Sequence, residues 1–83
     1  MADDSDAVSR AELARQVIEN PIFVQAMDDI KGALLEKWLA TRDTDIEERE
    51  RAWKHRKFVD VFEGVLRGYI ERGKAARSEI DRP

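Results

Sequence analysis

Between Pro21 and about Ala40 the apolar residues Phe23, Met27, Ile30, Leu34 and Trp38 recur at steps of four, three, four and four, which places them on one face of an α-helix. Ile22, Ala26 and Ala33 widen that face. A second run, Phe58, Phe62, Val65 and Tyr69, has the same helical spacing, with Val59, Val61, Leu66 and Ile70 beside it and His55 on the same stripe. The two patterns predict long helices whose stripes meet in a common seam. Between them lies only the polar stretch Thr41, Arg42, Asp43 and Thr44, flanked by Trp38 and Trp53. So short a connection permits only a tight reversal, and the helices are expected to pair antiparallel.

Capping signals divide the rest of the chain. Ser9 and Glu12 have capping-box spacing and are expected to open a short helix with a narrow stripe of Leu13, Val17 and Ile18. Asn20 before Pro21 either ends that helix or starts the next, because Asn caps well and Pro is tolerated at the first helical position. Thr44 and Glu47 repeat the capping-box spacing, and Gly73 is expected to end the last helix in a left-handed stop. The expected fold is all-α: an antiparallel helical hairpin of two long helices with a short N-terminal helix. Residues 1–8 read as a disordered acidic tail, residues 9–73 as a single helical domain, and residues 74–83 as a charged C-terminal tail.

Four apolar residues do not fit the seam. At about 100° per residue, Leu35 and Leu39 lie roughly 140° and 180° from Ile30, while Trp53 lies roughly 180° from Phe62 and Ile46 within about 20° of Trp53. Antiparallel pairing brings these four together at the turn end of the hairpin. Two readings stand. In one, the N-terminal helix folds back and covers them with Leu13, Val17 and Ile18, or a helix curves to bring Trp53 inward. In the other, Leu35, Leu39, Ile46 and Trp53 form an exposed protein interface, used for self-association or for a partner, with Trp53 as anchor.

Size sharpens the second reading. A chain of 83 residues buries only about 60 to 65% of its unfolded surface, and without cysteine it lacks both disulfides and thiolate metal ligation. Oligomerisation is the remaining supplement, so a homo-oligomer is expected. The hydrophobic fraction is 42% and the charged fraction 40%, a balance that suits a helical bundle. The acidic start, Met1 to Asp6, is unlike a signal peptide, so a cytoplasmic protein is expected, and no apolar run is long enough to span a membrane.

Net charge is −3, which provides no global attraction to nucleic acid. The segment Arg49 to Lys57 is nevertheless basic and contains Trp53 and His55. Its wheel is scattered: Arg51 is expected on the core side, Lys54 on a flank, and Arg49, Arg56 and Lys57 on the back, with Glu47, Glu48 and Glu50 offsetting the charge. Arg49, Arg56 and Lys57 are the candidate nucleic-acid contacts, set against the plainer reading of a solvated, salt-bridged face. His55 is expected to be a semi-buried, hydrogen-bonded side chain. Gly64 and Gly68 have GxxxG spacing, a weak signal for close helix packing outside a membrane. The sequence contains no catalytic signature, metal motif or phosphate-cradling loop, so neither an enzyme nor a cofactor is expected.

The segment Glu19 to Phe23, followed by Trp38, Thr41, Glu47 to Glu50, Trp53 and Gly73 to Ala75, resembles a group of short helical proteins of unknown function. They are encoded in tailed bacteriophages, prophages and phage-like elements, often near head and DNA-packaging genes. The likeness spans roughly residues 15 to 76 and carries no functional residue. It implies a phage-related setting in the host-cell cytoplasm; joined to the exposed apolar patch, the expected function is a non-enzymatic, homo-oligomeric interaction or assembly protein, with a phage structural or packaging protein as candidate partner and the virion as candidate second location. A small DNA-packaging or nucleic-acid-binding accessory is the alternative.

Overall fold

A computed structural model of the chain describes residues 3–82. Among them are three α-helices, α1 Asp3–Glu19, α2 Pro21–Leu39 and α3 Ile46–Ile80, and no strand. The fold is all-α. None of the described helices is long and apolar enough to cross a membrane.

The helix ends depart from expectation in informative ways. α1 begins at Asp3, with Asp3, Asp4 and Asp6 in its first turn, where carboxylates offset the positive end of the helix dipole. The residues expected to be an acidic tail are therefore largely helical, and α1 spans 17 residues against 19 in α2, so it is not short. Ser9 lies inside α1 and caps nothing. Residues 1 and 2, and Pro83, lie outside the described residues, and the tail readings that fall on them with them.

Of its two expected roles, Asn20 takes that of starting the next helix. Its Oδ1 accepts hydrogen bonds from the Ile22 and Phe23 amides at 2.9 and 3.4 Å, with Pro21 opening the helix. Such a cap contributes about 1 kcal/mol. The box expected at Thr44 and Glu47 does not form. Asp45 precedes α3 instead, and its carboxylate accepts from the Arg42 amide at 3.0 Å, which closes the turn rather than capping the helix.

α3 does not stop at Gly73. It continues to Ile80, a total of 35 residues or about 52 Å. Gly73 has no positive φ. It is buried where α1 crosses α3: a Cβ built there would fall well inside contact distance of Ala11 Cβ and 3.1 Å from the Ala7 carbonyl oxygen. Small residues let the two backbones approach, and Ala11, Ala14, Gly73 and Ala76 are all buried at this crossing.

α1 and α2 run in turn along α3, both antiparallel to it. Arg10 of α1 stacks on Tyr69, Phe23 of α2 meets Phe62 at 6.2 Å between ring centroids, and Trp38 meets Arg49 beside the turn. Only Asn20 separates α1 from α2.

The seam on α3 is not the predicted row. Ala52, Val59, Leu66 and Gly73 recur every seven residues, with Arg56, Glu63 and Ile70 between them, and all of these are buried or half-buried. The predicted row Phe58, Phe62, Val65 and Tyr69 stands one residue earlier at each step, about 100° round the helix. Phe58 is 70% exposed, Phe62 43% and Val65 45%. α2 follows expectation better: Met27 is buried, and Phe23 and Leu34 are half-buried, although Ile30 and Trp38 are exposed.

The packed core is correspondingly thin. Its buried hydrophobic residues are Ala11, Ala14, Met27, Ala52, Val59 and Ala76. A folded monomer of 9.6 kDa is expected to expose about 5,100 Å², whereas this chain exposes 6513 Å², roughly 1,400 Å² more. Its radius of gyration is 17.7 Å, against about 12 Å for a globular chain of this length.

Candidate functional site

The turn end of the molecule is organised around Trp38. The Thr41 hydroxyl donates to the Trp38 carbonyl at 2.6 Å, and Arg49 Nη1 donates to the Thr41 oxygen at 3.0 Å. The Arg49 guanidinium then lies 4.1 Å above the Trp38 ring, a cation–π contact that tends to contribute about 0.5 to 1 kcal/mol at a partly exposed site. Arg49 thus ties the first turn of α3 to the last of α2. Nothing in its sequence spacing pointed to that role.

Beside this cluster, a cleft of about 390 Å³ opens between α2 and α3, lined by Leu34, Leu35, Trp38, Ala52 and Trp53, with Lys31 and Arg56 also at its wall. The structure brings Leu35 and Trp53 together there. Leu39 and Ile46 lie outside the cleft, on either side of the turn. All four are more than half exposed. α1 does not cover them, since it packs on the far half of α3; Leu13 is 63% exposed and Val17 40% exposed, and Ile18 lines a different recess with Phe23, Met27 and Glu63.

The basic segment is largely occupied by local partners. Arg56 pairs with Asp60, and Arg51 pairs with Glu48 at 2.8 Å. Because the seam has turned, Arg49 and Arg56 border it and are half-buried rather than standing on the back of the helix; Lys57 is exposed. A cross-helix ion pair, Lys31 with Glu63 at 2.9 Å, also borders the seam. Of the candidate nucleic-acid contacts, Arg49 is engaged with the Trp38 ring and Arg56 with Asp60.

His55 is exposed, not semi-buried, and lines a shallow recess with Lys37, Thr41, Glu48 and Arg51. Its row has rotated out of the seam. Gly64 has open space around the place a Cβ would occupy, and Gly68 faces its own neighbour Arg72, so neither carries a helix crossing. Among the described residues no group of three or more His, Cys, Asp or Glu side chains is placed to hold a metal ion.

A second apolar surface, absent from the sequence reading, follows from the rotated seam. Phe58, Phe62 and Val65 of α3 and Ile30 of α2 are exposed, and their helical positions, with the Phe23–Phe62 contact, put them on the flank opposite the Leu35 and Trp53 cleft. Toward the C-terminal end of α3 the same flank closes, where Tyr69 lies between the guanidinium groups of Arg10 and Arg72 at 5.7 and 5.4 Å. The signal available in the sequence was the alanine and glycine spacing Ala7, Ala11, Ala14 and Gly73, Ala76, which marks the row that packs. No family model, curated protein or solved structure matches this chain.

Proposed function

We propose that this chain is a non-enzymatic interaction or assembly module of a phage or prophage, built as a helical hairpin with a leading helix and acting as a homo-oligomer. The observation that carries the oligomer is surface: roughly 1,400 Å² beyond what a folded monomer of this mass exposes. A standard interface removes about 800 Å² from each partner, so association would bring the molecule close to ordinary exposure. The thin alanine core gives the same direction, because packing within one chain leaves most large side chains in water. The phage setting is supported by the sequence resemblance and suits a small module without catalytic equipment. The Leu35, Leu39, Ile46 and Trp53 surface is the candidate site for protein contact, with a phage structural or packaging protein among its partners.

Sedimentation equilibrium from micromolar to millimolar concentration is expected to give a mass that is a multiple of the protomer and that falls on dilution. A folded monomer throughout that range would defeat the proposal. Duplex DNA is expected to bind weakly, with affinity that falls steeply as salt rises. Submicromolar binding at physiological ionic strength, abolished by the double change Arg56→Glu and Lys57→Glu, would instead establish the nucleic-acid accessory reading.

A further inference from the structure

We propose that a second copy of this chain docks on the flank formed by Ile30, Phe58, Phe62 and Val65, making a two-fold symmetric contact across the middle of α3. The inference rests on the homo-oligomer reading and assigns its surface.

The first reason is the choice of row. α3 carries two rows of identical spacing, one residue apart, and the row packed within the chain is the less apolar, with Ala52, Arg56, Val59 and Glu63. An isolated hairpin would bury more apolar surface by turning α3 about 100° and bringing Phe58, Phe62 and Val65 inward. Their exposure is consistent with a partner that covers them.

The second reason is continuity. α1 and its Arg10 close this flank as far as Tyr69, and from Val65 back to Phe58 it is open. A helix of another copy would continue the layer that α1 begins. Within α3 the stretch from Phe58 to Val65 carries two charges, Asp60 and Glu63, and both are paired on the opposite side, with Arg56 and Lys31. A charge-poor centre surrounded by charge is the usual anatomy of an interface core.

The third reason is position and area. α3 runs from Ile46 to Ile80, so Phe62 and Val65 lie close to its midpoint. Two copies crossing there place each patch on the other, which a single self-complementary surface requires. The surplus exposure of the chain as a whole, roughly 1,400 Å², exceeds the about 800 Å² that a standard interface removes from each partner. The turn-end cleft remains open in such a dimer and is available to a different protein.

Sedimentation equilibrium on the wild type, Phe58→Glu and Trp53→Ala tests the assignment. Phe58 is largely exposed within one chain, so the charge is tolerated in the monomer. The wild type is expected at twice the protomer mass, Phe58→Glu at the protomer mass or with at least about a 100-fold weaker dimer, and Trp53→Ala unchanged. Since the chain has no cysteine, Val65→Cys and Leu39→Cys give an independent measurement that does not depend on how Phe58→Glu folds. A short bis-maleimide is expected to join two Val65→Cys chains and to leave Leu39→Cys chains separate. A dimer lost in Trp53→Ala but kept in Phe58→Glu, or joined through Leu39→Cys alone, overturns this surface while leaving the homo-oligomer in place. A wild type that stays monomeric overturns both.

Discussion

Gly73→Ala is expected to destabilise the protein even though alanine is the better helix former. The propensity gain is about 1 kcal/mol. Against it stands a methyl group placed well inside contact distance of Ala11 Cβ, on two backbones rather than on a flexible side-chain tip. Overpacking of this kind costs about 1 to 3 kcal/mol, and here the whole of α1 must move to relieve it, so the cost belongs at the upper end and outweighs the gain. Gly32→Ala is the matched control, because nothing lies within 4 Å of the new methyl; it is expected to add about 0.5 to 1 kcal/mol. Denaturant titrations of both variants at one protein concentration decide the matter. If Gly73→Ala were as stabilising as Gly32→Ala, the close crossing of α1 and α3 would be wrong.

Phe62→Ala is expected to have an effect whose size depends on protein concentration. A fully buried phenylalanine costs about 3 to 5 kcal/mol on truncation. Phe62 is 43% exposed in a single chain, where its packing is against Phe23, so in dilute solution the loss is expected to be about half as large. When a second copy covers the flank, the full cost returns, and the gap between variant and wild type widens as concentration rises. Unfolding curves at low and high micromolar protein measure that gap. A loss that stays small and constant over the range would mean that Phe62 faces water at every concentration.

These two residues also show how far the sequence could be read. Helix identity, the Asn20 cap, the reversal near Thr41 and the Phe23, Met27 and Leu34 part of the α2 stripe were visible because each depends on neighbours within a turn or two. The α3 seam was not. Hydrophobicity ranks Phe58, Phe62 and Val65 above Ala52 and Val59, yet Ala52 and Val59 are the buried pair. Gly73 illustrates the same ambiguity: glycine ends helices and also admits close crossings, and only the arrival of Ala7 and Ala11 from a distant part of the chain separates the two. At the turn, the exposure of Leu35, Leu39, Ile46 and Trp53 was foreseen as one of two readings. Arg49 was misplaced for lack of any signal of its contact with Trp38.

The single residue between α1 and α2 has a geometric consequence of its own. A seven-residue repeat on a straight helix drifts by about 20° per heptad, so from Ala52 to Gly73 the seam on α3 turns by roughly 60°. A continuous companion helix would follow that drift only by supercoiling around α3. The break at Asn20 offers another solution: the companion runs as two helices, α1 and α2, each free to take its own direction along the groove. The chain thereby wraps in two steps what a coiled coil wraps smoothly, and the length of the joint sets the rotational phase between the alanines of α1 and Gly73.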